Sequence, residues 1–217
     1  MAAPAVCEVC GRELVDGEDM VCLHCRAGVR DTLYDARDAR IERLPYKAPV
    51  ARVVSWLPYT HDSSFSTLLR RGKYDNRPDL VKGLASMYAS MLMAEDALSG
   101  VDVLTPVAMH WWKRMRRGYN QARIIADTVG EAAGINVAEL LMAGRPHRSQ
   151  ARSSGIERAE NIRGIFSIAG GADIAGKHVG IVDDILTTGA TLSEAIDALL
   201  PAGPSAISVY TLAITMS

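Results

Sequence analysis

No stretch of this 217-residue chain holds the roughly 18 consecutive apolar residues of a membrane span. No membrane span is therefore expected. Its first residues, Met-Ala-Ala-Pro-Ala-Val-Cys, lack a basic segment followed by a long apolar core. No secretory signal is expected, and the expected location is cytoplasmic. Internal repeats and low-complexity tracts are lacking, which leaves repeat arrays out of consideration. An excess of either charge is lacking too. The 24 Lys and Arg against 25 Asp and Glu leave a net charge of -1, so no large basic face is assured. With 48% hydrophobic residues, the composition is that of a globular chain, not a disordered one. Cysteine is absent after residue 25.

What cysteine there is falls in two pairs, Cys7-x2-Cys10 and Cys22-x2-Cys25. Two such knuckles so close together predict a tetrahedral zinc site with four thiolate ligands. Gly11 after the first knuckle suits a tight turn. Two disulfides are disfavoured in a cytoplasmic chain. A dithiol redox centre would use one pair within a βαβ context, which is absent here. His24 lies inside the second knuckle and reads as a neighbour of the site.

The richest segment is Val179-Gly-Ile-Val-Asp183-Asp184-Ile-Leu-Thr187-Thr188-Gly189-Ala190-Thr191. The apolar run reads as a buried parallel strand. The loop that follows places hydroxyls and backbone N–H groups at the start of a helix (Leu192, Ala195, Ile196, Leu199, Leu200), where an anion such as a monophosphate is favoured. The two carboxylates stand at the carboxyl end of a strand, where open α/β sheets bind ligands. They suit two vicinal hydroxyls or a hydrated Mg²⁺. A phosphate beside a diol describes a ribose 5-phosphate. A nucleotide-triphosphatase reading would need a Gly-x4-Gly-Lys-[Ser/Thr] loop. The one near match, Gly171 to Gly176-Lys177, continues with His178 and opens a strand.

The periodicity elsewhere predicts a helix over 26–44 and strands over 52–57, 101–105, 137–142, 163–168, 177–183 and 206–214. Further helices are expected over 64–71, 77–97 and 120–133 and from Thr188. In the long one, Leu80, Leu84, Met87 and Met91 form a core stripe. The alternation predicts an α/β fold, a mostly parallel sheet with helices on both faces. The length suits one such domain, residues 51–217, with a ribbon at 1–25 and a helix and linker at 26–50.

Two basic segments remain. Residues 110–121 carry Lys113, Arg114, Arg116 and Arg117 with no acid, and 145–163 carries five arginines against two glutamates. Both read as loops. Arginine forks match phosphate oxygens, and Trp111, Trp112 and Tyr119 also suit stacking on single-stranded nucleic acid. The ribbon has five acids and one Arg. It would repel a phosphate backbone, so it reads as a structural or protein-contact element and not as a DNA contact.

With these pieces placed, the chain resembles the competence protein F (ComF) family of type I phosphoribosyltransferases, which bear an N-terminal zinc ribbon. The resemblance rests on the knuckles, on Gly72-Lys73-Tyr74, and on Thr105-Pro106-Val107 followed by Arg116-Arg117-Gly118-Tyr119-Asn120-Gln121. It extends to Gln150, Arg158, Asn161 and Phe166, and to Asp183 through Thr191, the phosphoribosyl pyrophosphate (PRPP) motif. Ala108, Tyr119, Arg148 and Ser153 depart from the pattern. The resemblance implies that residues 51–217 are a phosphoribosyltransferase-like domain binding PRPP or a related ribose phosphate. Thr187, Thr188, Gly189, Ala190 and Thr191 would hold the 5-phosphate, and Asp183 and Asp184 the ribose hydroxyls. Pro106 with Arg116 or Arg117 would meet pyrophosphate. Arg148, Gln150 and Arg158 would lie on a mobile loop closing over the site. Mg²⁺ would arrive with PRPP, and zinc would be structural. A DNA-uptake context and a protein partner for the ribbon are further implications. In purine-salvage relatives an Asp that can exchange a proton with purine N7 precedes the Thr-Gly step. Thr187 stands there in this chain.

Overall fold

The computed structural model describes residues 5–29, 33–35, 50–144 and 164–215. In chain order the elements are α1 (Leu23–Ala27), β1 (Tyr34–Asp35), β2 (Val50–Tyr59), α2 (Ser64–Tyr74), α3 (Pro78–Ala94), β3 (Val103–Pro106), α4 (Trp111–Arg117) and α5 (Gln121–Ala133). They continue with β4 (Asn136–Val137), β5 (Leu141–Ala143), β6 (Phe166–Ile168), β7 (His178–Leu186), α6 (Ala190–Leu199), a 3-10 turn at Leu200–Ala202 and β8 (Ala206–Thr215). Six strands form one sheet in the order β1-β2-β8-β7-β3-β4. Only β1 runs antiparallel to its neighbour; β2, β8, β7, β3 and β4 are parallel. β5 and β6 pair antiparallel as a separate small sheet against α6.

The central strands are apolar on both sides because helices cover both faces. Along β7, Val179 and Ile181 pack with Leu192, Ala195, Ile196 and Leu199 of α6. Val182 packs with Leu80 and Leu84 of α3 and Ile125 and Val129 of α5. Tyr88 of α3 stacks on Trp56 of β2 at an interplanar angle of 7° and donates to the Val54 carbonyl at 2.9 Å. Inside the sheet, the buried hydroxyls of Ser55 and Thr211 satisfy one another at 2.6 Å. The expected mostly parallel α/β sheet is therefore present.

Several local expectations are corrected. The helix expected over 26–44 is corrected where the chain is described: α1 ends at Ala27, and Tyr34 and Asp35 form β1 beside Val54 and Ser55, while 30–32 and 36–44 lie outside the described residues. The single strand expected over 137–142 is two: β4 joins the main sheet beside β3, and β5 leaves it to pair with β6. The basic loop after β3 contains a helix, α4. His110 Nδ1 caps it by accepting from the Trp112 amide at 3.3 Å, and Gly118 ends it at φ 85°, a left-handed conformation that glycine adopts without strain. In α3 the buried stripe is Leu80, Leu84, Tyr88 and Leu92, and Met87 and Met91 flank it half-buried.

Candidate functional site

Strand β7 does not stop before its acids. It runs through Asp183 and Asp184 to Leu186. The strand end departs from strict alternation, since Val182 and Ile185 both belong to the core of α3 and α5 while Leu186 belongs to that of α6. Adjacent like charges repel, and each is met here. Asp183 Oδ1 accepts from the Asp184 amide at 2.8 Å, and Asp184 Oδ2 lies 3.1 Å from Lys73 Nζ. Thr187 and Thr188 follow on the surface. Gly189, at φ 76°, turns the chain into α6 with no side-chain cap. Thr188 Oγ1 accepts from the Ala190 amide at 3.5 Å, and a helix start leaves further first-turn N–H groups without intrahelical partners. Ala190 and Thr191 form the first turn of α6.

The opposite wall comes from the α4–α5 junction and from α2. Arg117 closes α4 and donates from NH1 to Gln121 Oε1 at 2.6 Å. Asn120 caps α5 by accepting from the Ala122 amide at 3.1 Å, while its Nδ2 donates to the Val107 carbonyl at 3.0 Å. The turn after Gly118 is thereby tied to the end of β3. A cavity of about 810 Å³ opens between these walls, lined by Lys73, Arg117, Gln121, Asp183, Asp184, Thr187 and Thr191, among others. That volume falls within the usual range for small-molecule sites.

Not every expected residue reaches this cavity. Pro106 is buried at the end of β3, and the next residues, Val107 and Ala108, form the wall in its place. Arg116 lies off the cavity, its guanidinium 5.9 Å from the centre of the Trp112 ring. Arg148, Gln150 and Arg158 lie outside the described residues. Lys73 and Gln121 carried no role in the sequence reading beyond their place in the family pattern. Gln121 is almost fully buried, and its Nε2 has no partner. A buried amide at the first position of a helix is a signal worth reading.

Near the start of the chain, the sulfurs of Cys7, Cys10, Cys22 and Cys25 all lie within 4.8 Å of one another. Zinc at about 2.3 Å from four tetrahedral sulfurs sets them about 3.8 Å apart. Cys10 Sγ and Cys22 Sγ stand at 3.8 Å. The donor set fits that ion. Burial pushes the Cys7 thiol up, but N–H groups of Cys22, Cys10 and Val9 outweigh it and bring the thiol down to about 6. The Cys25 amide, chiefly, lowers Cys22 as well. Burial, with the neighbouring sulfurs, pushes Cys25 up to about 12. Sulfurs this close resist full ionisation until a cation balances them. Among the described residues no helix is long and apolar enough to cross a membrane.

Residues 115–216 match the phosphoribosyl transferase domain, which takes in α5, the carboxylate pair, the threonine loop and the last strand. The chain is moreover a homologue of proteins named for competence and DNA utilization. It is 29% identical over 155 residues to competence protein F of Haemophilus influenzae, covering 68% of this chain and 67% of that protein. It is 24% identical over 230 residues to DNA utilization protein YhgH of Escherichia coli K12, covering the full length of both. Among solved structures, a glutamine PRPP amidotransferase from B. subtilis is 24% identical with a TM-score of 0.41. That likeness covers 60% of this chain and about a quarter (25%) of the amidotransferase.

Proposed function

We propose that this protein binds PRPP with Mg²⁺ and transfers its phosphoribosyl group, or a close variant of it, to an acceptor. One observation carries the reading. A single cavity is lined by both carboxylates, by Thr187 and Thr191 of the phosphate loop, and by the cations Lys73 and Arg117. The threonine loop and the start of α6 hold the 5-phosphate through N–H and hydroxyl donors. Asp183 and Asp184 accept from the ribose hydroxyls. Arg117 meets pyrophosphate with its fork. The carboxylates fit Mg²⁺ arriving on pyrophosphate, because that ion keeps several waters and needs few protein ligands. The ion would offset charge on the leaving group. In the transfer, the bond from ribose C1 to pyrophosphate breaks with its electrons on pyrophosphate. The acceptor then bonds C1 and gives up a proton. The chain's part is to steady the departing charge and exclude water. Zinc, on four thiolates, would be structural. The names of the homologues point to a role in DNA uptake or use.

A second reading is favoured by the exposed Val6, Val15 and Leu23 of the cysteine module, which are 48%, 59% and 64% exposed. In this reading the cavity senses PRPP without turnover, and the module docks a protein partner. Pyrophosphate release from PRPP, assayed with bases and amines beside calorimetric binding of PRPP, separates the two. Binding with release supports the transferase, and binding without release under any acceptor supports the sensor. No binding refutes both.

A further inference from the structure

The last turn of α2 is gripped from three directions. Glu8, inside the first cysteine knuckle, pairs through Oε2 with Arg71 NH1 and through Oε1 with Arg77 NH2, both at 2.7 Å. One carboxylate thus clamps the end of α2 to the cap of α3. The amide of Glu8 donates to the Met20 carbonyl at 2.9 Å, which ties it to the second knuckle. Met20 in turn lays its thioether against Gly83 of α3, and a Cβ there would have to push that side chain aside. Cys7, Val21 and Cys22 share one core with Leu80, Val81 and Leu84. The module is therefore built into the helical face of the sheet.

Arg71 and Lys73 are two residues apart, about 200° around a helix. One faces the module and the other faces the cavity. Between them, buried Gly72 is pressed against Val81 with no space for a side chain, and its carbonyl accepts the Tyr119 hydroxyl. That contact satisfies one of the carbonyls a helix end leaves open. Lys73, so placed, meets Asp184, whose amide holds Asp183.

We propose that Lys73 is a positioning residue for the carboxylate pair, and that Glu8 of the four-cysteine module sets its place through the last turn of α2. The consequence is coupling between the module and the ribose-phosphate cavity, from Glu8 to Arg71 to Lys73 to Asp184. The proposal rests on the reading of that cavity given above. A route of this kind is established by coupling and not by adjacency alone.

The test uses the full chain with Glu8→Gln, Lys73→Met, Lys73→Arg and the double variant Glu8→Gln/Lys73→Met. Two quantities are read: amide hydrogen exchange over residues 183–188, without ligand, and calorimetric affinity for ribose 5-phosphate. Glu8→Gln should speed exchange there and weaken affinity about threefold, since partly exposed ion pairs are modest. In the Lys73→Met background it should add nothing further, and Lys73→Arg should keep most of the wild-type protection. Unchanged exchange at 183–188 in Glu8→Gln, or the same loss in both backgrounds, overturns the proposal. If Glu8→Gln loses its metal, Arg71→Gln cuts the contact from the helix side and carries the same expectations. If the wild-type chain binds neither ribose 5-phosphate nor PRPP, the functional reading falls, while the exchange data still decide the coupling.

Discussion

Arg117 and Gln121 hold one another across the bend at Gly118, Nη1 to Oε1 at 2.6 Å, whereas Arg116 lies over the Trp112 ring. Neighbours in sequence thus have different duties. Arg117→Lys should weaken PRPP binding tenfold or more, because the fork is lost along with its hold on Gln121. A charge-assisted hydrogen bond is worth about 1.5–3 kcal/mol. Arg116→Lys should change binding less than about threefold, within the modest range of exposed charge effects. Calorimetry on both variants checks the contrast, and equal losses would contradict it.

Removing the carboxylate pair should abolish useful PRPP binding. In Asp183→Asn with Asp184→Asn, two acceptors of charge-assisted hydrogen bonds are lost, for a loss of ~10² or more in affinity. The fold should persist, because repulsion between adjacent charges is removed as well. Circular dichroism and a thermal melt check folding, and calorimetry checks affinity. Unchanged affinity in a folded double variant would overturn the site.

The native protein should carry one zinc per chain. Cys22→Ser should lose the metal and lower the melting temperature, since Cys22 is fully buried in the core shared with α3. Cys10→Ser should lose the metal with a smaller drop, because Cys10 is exposed. Metal analysis and scanning calorimetry on both variants provide the check. A folded native chain with no metal and four free thiols would count against the site.

Hypoxanthine and guanine should not be turned over with PRPP. Thr187 occupies the position that would share a proton with purine N7, and a hydroxyl is too weak an acid or base for that near neutral pH. A steady-state assay showing turnover at an ordinary enzymatic rate, roughly 1–10³ per second, would refute this.

The 179–191 segment was legible because its strand, turn and helix are contiguous and each has a local pattern. The cysteine knuckles were legible for the same reason. Lys73 and Asp184 are 111 residues apart, and Glu8 and Arg71 are 63 apart. No periodicity encodes that α2 brings such pairs together. Helix α4 escaped because its described side chains form no buried stripe; a His cap and a Gly stop define it. The 137–142 run is expected as one strand, but nothing in it marks where pairing changes from β3 to β6. Thr105 Oγ1 accepts from the Leu140 amide at 3.1 Å, and the chain leaves the main sheet at that point. Arg116 and Arg117 could not be ranked, since only the three-dimensional turn at Gly118 separates them.

Strand β8 lies between β2 and β7, with Val209 beside both Val53 and Ile181. On the ribosome, this middle strand is made long after β2. The interval from Tyr59 to Ala206 lasts roughly 7–30 seconds of translation. Until it ends, β2 has an open hydrogen-bonding edge, and the faces meant for α2 and α3 have no finished floor. A stop codon before residue 206 would yield an aggregating fragment in place of a smaller folded protein.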